Sequence, residues 1–160
     1  MDKLNIIYVD DQREVLSTLS KDLQVFEKFV SVEECESANE AMELLTDIDA
    51  EGDMVAVIIS DHVMPGKNGV EFLSEINSDS RFSATRKMLL TGQATHQDTI
   101  KAINQANIEK YLEKPWKPEE LIEDVKILLT RFILEVGIDY NKYMPVLHQQ
   151  TLLEHLQNSV

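Results

Sequence analysis

Apolar and polar positions alternate in blocks along this chain. "LNIIYV" (4–9) is apolar except for Asn5 and stops at Asp10-Asp11, which predicts a strand. "REVLSTLSKDLQ" (13–24) spaces Val15, Leu16, Leu19 and Leu23 at helical intervals. "VSVEECES" (30–37) is a weaker strand, and "ANEAMELLTDI" (38–48) is a helix. "MVAVIIS" (54–60) has no polar residue before Ser60, and Asp61 follows it. "GVEFLSEINS" (69–78) is helical, "KMLLT" (87–91) a strand, "HQDTIKAINQAN" (96–107) a polar helix and "IEKYLE" (108–113) a fifth strand. "PEELIEDVKILLTRFILEV" (118–136) is a long helix, with Pro118 suited to its first position and Gly137 to its stop. Strands alternating with helices imply parallel strands joined by crossover helices on both faces, an α/β fold. The continuous apolar run at 54–59 agrees, because a central parallel strand is buried on both faces.

Composition narrows the class. The 160 residues are 43% hydrophobic, enough for one domain with a real core, and the formal net charge is -14. That charge argues against direct nucleic-acid binding and against an anionic membrane surface, and it favours a cation or a basic protein partner. Cys35 is the one cysteine, so no disulfide framework exists and a reducing cytoplasm is the expected setting. No apolar run is long enough to span a membrane.

In an open parallel sheet, ligands sit beyond the C-terminal ends of the strands. Four of the expected strands end there in chargeable or hydroxyl side chains: Asp10-Asp11, Asp61, Thr91 and Lys114. Each has a plain structural reading taken alone. Asp11 with Glu14 could cap the first helix, Asp61 could begin a turn to Pro65-Gly66, Thr91 could end a strand as a β-branched residue, and Lys114 could be a solvated charge. Their joint placement on one rim points to a site. Clustered carboxylates repel and need a cation, and hard oxygen ligands with room for water suit Mg²⁺. A metal held by carboxylates, beside an ammonium and a hydroxyl, can receive a phosphoryl group, and one carboxylate can act as its nucleophile.

"YVDDQ", "ISDHVMPGKNGVEFL", "LLTGQ" and "YLEKPW" occur in this order at spacings that resemble the response-regulator receiver domain of two-component signalling. The resemblance covers roughly residues 3 to 133. It implies a flavodoxin-like doubly wound sheet of five parallel strands in the order 2-1-3-4-5, with helices on both faces. It implies that Asp61 is the phosphoacceptor and that Asp10, Asp11, Asp61 and the Val63 backbone carbonyl hold Mg²⁺. It further implies that Thr91 and Lys114 contact the phosphoryl group, that Tyr111 is an aromatic switch moving with Thr91, and that the Lys114-Pro115 peptide is often cis. The partners it implies are a sensor histidine kinase or a histidine phosphotransfer protein. Val63 and Gln93 fall at variable positions near the path of a hydrolytic water, which predicts slow autodephosphorylation.

Residues 1–136 read as the receiver and 137–160 as an extension. In the extension, "YMPVLHQQTLLEHLQ" predicts an amphipathic helix starting near Pro145. That helix could dock on its own domain, form a homodimer together with the preceding helix, or lead into an output domain. Receivers with a similar "EKPW" ending often precede phosphodiesterases, cyclases or kinases. Of the histidines, His62 reads as a surface or rim residue, and Trp116 as a partly buried anchor. The expected function is a phosphorylation-dependent switch rather than an enzyme. The alternatives are a metal-dependent aspartyl-phosphate phosphatase and an inert receiver-like module. The apolar Val63 counts against the phosphatase, since such hydrolases usually place a second acid there.

Overall fold

The computed structural model describes residues 3–92 and 96–158, apart from the Asp98 side chain. The elements run β1 (Leu4–Val9), α1 (Arg13–Asp22), β2 (Ser31–Cys35), α2 (Ala38–Ala50), β3 (Met54–Asp61) and α3 (Gly69–Asn77). They continue with β4 (Arg86–Thr91), α4 (Gln97–Gln105), β5 (Lys110–Glu113), α5 (Pro118–Val136) and α6 (Gln149–Asn158). All pairings are parallel, in the order β2-β1-β3-β4-β5. This is the flavodoxin-like arrangement expected from the sequence.

Side-chain alternation sorts the sheet into two cores. Leu4, Ile6, Tyr8, Ile59, Met88 and Leu90 face α1 and α5, meeting Leu16, Leu19, Val125 and Leu128. Ile7, Val9, Ile58 and Leu89 face the other way, meeting Ala41 and Leu45 of α2, Phe72 and Ile76 of α3, and Ile103 of α4. A register shift interrupts the alternation: Asn5 pairs with Val55 but Ile6 pairs with Val57. The extra residue, Ala56, therefore lies on the same side as Val57. Buried Asn5 sits at this irregularity and donates its amide to the Met54 carbonyl at 3.0 Å.

Several boundaries differ from the sequence reading. The first helix ends at Asp22, and Leu23–Phe26 tighten into a 3₁₀ turn that puts Leu23 and Phe26 in the core. Asp11 and Glu14 form no capping box, because the N-cap is Gln12, without a side-chain cap. The capping box belongs instead to Asn68 and Glu71 at the start of α3. Pro118 does open α5, and Gly137 closes it at φ +79°.

The chain beyond Gly137 packs back on the domain. Pro145 lies inside a 3₁₀ segment (Tyr140–Val146) rather than at a helix start. Val146, Leu147 and Leu152 are buried in the α1/α5 core. The His148 amide donates to Thr130 Oγ1 of α5 at 2.8 Å, and His148 Nδ1 lies 2.7 Å from Thr151 Oγ1, which secures the first turn of α6. Leu153 and Leu156 remain exposed. Leu152→Ala is expected to cost about 2–3 kcal/mol in chemical denaturation. Unchanged stability would mean that α6 does not dock.

Cys35 ends β2 at 1% exposure, and burial, with Glu40, Glu33 and Glu34 nearby, pushes its thiol up to about 12. A thiolate is the reactive form. The folded protein is thus expected to resist alkylation at pH 8 and to take one adduct when denatured, as read by intact mass. Fast labelling of the native protein would contradict this burial.

Candidate functional site

The rim opposite the strand N-termini is built by three adjacent strands. β1 and β3 pair up to Val9↔Ser60, and β3 and β4 up to Asp61↔Leu90. The residues that follow β1 and end β3 and β4 are therefore neighbours. Asp10 is fully buried, Asp61 is 6% exposed, and Asp11 is open to solvent. One carboxylate oxygen from each of the three lies within 4.8 Å of the others. Lys114 reaches in from the end of β5, with Nζ 2.6 Å from Asp61 Oδ1 and 3.3 Å from Asp10 Oδ2. Its peptide to Pro115 is cis.

Each group is held by its backbone. The Asp10 N–H bonds the Cys35 carbonyl at 3.1 Å, and the Gln12 N–H donates to Asp10 Oδ1 at 2.8 Å. The Lys114 N–H donates to the Thr91 carbonyl at 3.0 Å, which ties the lysine to the end of β4. Asp61 has a less obvious support in Gly69, the first residue of α3. A Cβ built there would lie 2.0 Å from the Asp61 carbonyl oxygen and 3.0 Å from Ser60 Oγ. The Gly69 N–H donates to the His62 carbonyl at 2.8 Å. The helix therefore packs so tightly onto the strand end that no side chain fits.

The electrostatics follow from burial and clustering. Burial pushes the Asp10 carboxyl above its ordinary value; the Gln12 N–H opposes this, and Asp61 adds to it. Burial pulls the Lys114 ammonium down, but its hydrogen bond to Asp61 and the two carboxylate charges leave it above the usual lysine value. Three carboxylates against one ammonium leave an excess of negative charge at the pocket. An all-oxygen donor set of this kind, with one solvent-facing member, fits a hard divalent cation that keeps some of its water.

The remaining residues from the sequence reading divide. Thr91 is buried at the end of β4, and its Oγ1 is 3.1 Å from His62 Nδ1. Val63 is 73% exposed and presents no polar side chain to the rim. Tyr111 lies on β5, 45% exposed. Gln93 lies outside the described residues. Trp116 is partly buried against the α1/α5 core, and its Nε1–H donates to Asp22 at 3.0 Å. Two residues have roles that the sequence alone did not assign. Gly69 was visible only as the Asn-Gly before a helix. His62 was placed on the rim, but its bond to Thr91 depends on the β3/β4 register. Burial holds its imidazole below the usual histidine value, with Asp61 pulling the other way.

Residues 6–126 match the family model described as the response regulator receiver domain. The hydrogenase transcriptional regulatory protein HoxA of Cupriavidus necator is 33% identical over 121 residues, 76% of this chain and 23% of HoxA. The chain thus spans under a quarter of that relative's length. Chemotaxis protein CheY1 of Helicobacter pylori is 28% identical over 130 residues, 79% of this chain and 97% of CheY1. Among solved structures, the signal receiver domain of an HD domain-containing protein from Pseudomonas fluorescens superposes with a TM-score of 0.73. It has 27% identity, and the match covers 86% of this chain and 94% of that one. A match that runs from the first strand into the fifth helix, over a sheet of the same order, carries the assignment: the chain belongs to the response regulator receiver domain family.

Proposed function

We propose that this chain is a phosphorylation switch in which Asp61 accepts a phosphoryl group in a Mg²⁺-dependent reaction. The observation that carries the reading is Lys114 Nζ at 2.6 Å from Asp61 and 3.3 Å from Asp10, inside a trio of carboxylates within 4.8 Å. Receiver domains of two-component systems act as signalling switches rather than as enzymes with outside substrates.

Lys114 engages Asp61 Oδ1, which leaves Oδ2 to attack phosphorus. The new bond is Asp61 O–P; the bond that breaks joins phosphorus to the donor's imidazole nitrogen or acyl-phosphate oxygen, and the leaving group takes the electron pair. Phosphoryl transfer of this kind is governed by positioning and charge neutralisation. Asp10, Asp11, Asp61 and the Val63 carbonyl would hold Mg²⁺, which when bound neutralises charge on the transferring oxygens. Lys114 stays paired to the product, and Thr91 donates its hydroxyl to a phosphoryl oxygen. Tyr111 follows Thr91 and changes the surface that partners read. The donor is a sensor histidine kinase or a histidine phosphotransfer protein, and the setting is the cytoplasm. Among the described residues no helix is long and apolar enough to cross a membrane. A larger signalling protein is a natural context, given the HD domain-containing neighbour and the length of HoxA.

The deciding experiment is incubation with acetyl phosphate and Mg²⁺, followed by intact mass. One phosphoryl adduct, absent when EDTA is added, is the expected result. Continuous turnover of phosphomonoesters would favour a phosphatase, and no adduct with any donor would favour an inert module. Val63 cannot orient a water molecule, so the adduct is expected to outlive a gel-filtration step and decay over minutes or longer. Loss within seconds would count against that role for Val63.

A further inference from the structure

The Thr91 hydroxyl has a side-chain partner outside the carboxylate cluster. Its Oγ1 lies 3.1 Å from His62 Nδ1. The histidine is well anchored for this contact. Its N–H donates to the Leu90 carbonyl at 3.0 Å, and its carbonyl accepts from Gly69 at 2.8 Å. The backbone on both sides of the ring is thus tied to β4 and to α3. Thr91 is 1% exposed, so its hydroxyl cannot exchange this contact freely for bulk water. A hydroxyl has one proton. Where Thr91 donates to Nδ1, it cannot also donate to a phosphoryl oxygen. Where Nδ1–H donates to Thr91, the oxygen is still held at the ring.

We infer that His62 is a positioning residue for the switch: it latches the Thr91 hydroxyl in the unphosphorylated arrangement and sets how readily the domain turns over to the phosphorylated one. This rests on the reading of Asp61 as phosphoacceptor and Thr91 as its hydroxyl donor. A contact made in only one of two states biases the equilibrium by its own free energy. A neutral hydrogen bond has a net value that makes this bias roughly fivefold.

The test uses the full chain with Mg²⁺ and beryllofluoride, an unreactive stand-in for the phosphoryl group, titrated by calorimetry. His62→Ala removes the ring. His62→Phe keeps a ring without Nδ1. His62→Asn returns a polar atom near the Nδ1 position. The expected result is binding about fivefold tighter in the Ala and Phe variants and near wild type in the Asn variant. The second readout is the Thr91 amide resonance of the free protein. In the Ala and Phe variants it should move along the line joining free and beryllofluoride-bound wild type, as a population shift requires. A merely structural role would move it off that line. Unchanged or weaker binding in the Phe variant overturns the latch, and so does an Asn variant that behaves like Phe. If the Ala variant unfolds, Phe and Asn decide. If wild type itself binds no beryllofluoride, the Asp61 reading fails and takes the latch with it; wild-type binding with no effect of His62 removes the latch alone.

Discussion

Asp61→Asn is expected to yield no phosphoryl adduct under conditions that load the wild-type protein, with its fold intact by circular dichroism. Asparagine keeps the shape of the side chain but has no carboxylate to attack phosphorus. The neighbouring acids are poor substitutes. Asp10 is fully buried and has one oxygen bonded to the Gln12 N–H at 2.8 Å and the other 3.3 Å from Lys114. Asp11 is exposed and is not the carboxylate that Lys114 holds. An adduct retained at full level in Asp61→Asn would move the acceptor elsewhere. The companion change, Asp10→Asn, separates metal from nucleophile. It should weaken Mg²⁺ binding by on the order of tenfold or more, because affinity in such sites follows ligand charge. It should also stabilise the metal-free protein. Burial raises the Asp10 carboxyl in the folded state, so the native protein holds that proton more tightly than the unfolded chain does. Stability therefore falls as pH climbs from the ordinary carboxylate value of 3.8 through the raised one, and the deficit persists at neutral pH. Asparagine cannot ionise and removes that deficit. Melting in EDTA should show a gain for Asp10→Asn at pH 7 and none well below pH 3.8. A loss at pH 7 would mean that its pairing with Lys114 outweighs the burial.

Gly69→Ala is expected to be the most damaging small substitution in the domain. The added methyl would meet the Asp61 carbonyl oxygen at 2.0 Å, a distance at which the backbone itself must move. Neither side can yield easily. The Asp61 carbonyl belongs to the central strand, and α3 is anchored by the Asn68/Glu71 capping box and by buried Phe72 and Leu73. Forcing extra volume into a packed contact typically costs up to about 3 kcal/mol, roughly 6–12 °C in Tm for a chain of this size. Phosphoryl uptake should fall as well, since the displaced strand end carries Asp61. A fully stable and active Gly69→Ala protein would mean that α3 can slide along β3 without consequence. The same helix start holds the His62 carbonyl, so the strain would reach the Thr91 contact too.

These two predictions draw on different kinds of information. The proposed nucleophile was legible in the chain because an apolar run such as residues 54–59 demands burial, and Asp61 marks where that burial ends. The same logic located Asp10-Asp11, Thr91 and Lys114, each at the end of a strand with a clear hydrophobic pattern. The fold class followed from the alternation of short apolar runs with stretches of helical spacing, since the two patterns cannot be satisfied by one element type. The long helix α5 was equally plain, because Pro118 and Gly137 mark its two ends by backbone chemistry. Local boundaries were less legible. Leu16, Leu19 and Leu23 keep a helical period even though the last of them sits in a 3₁₀ turn. Leu147 and Leu152 carry the amphipathic signal of the extension, but Pro145 lies in a 3₁₀ segment and the helix waits until Gln149.

What the amino-acid sequence determined by itself was the parallel α/β architecture and the set of side chains gathered at one rim, because both follow from local periodicity and from where apolar runs stop. What only the tertiary structure decided were contacts between segments distant in the chain: the 2.6 Å approach of Lys114 to Asp61, the lack of space at Gly69, the His62–Thr91 bond and the docking of α6 on α5. Strand register and helix packing set those distances, and they are the outcome of filling two cores at once rather than of any one segment's preference.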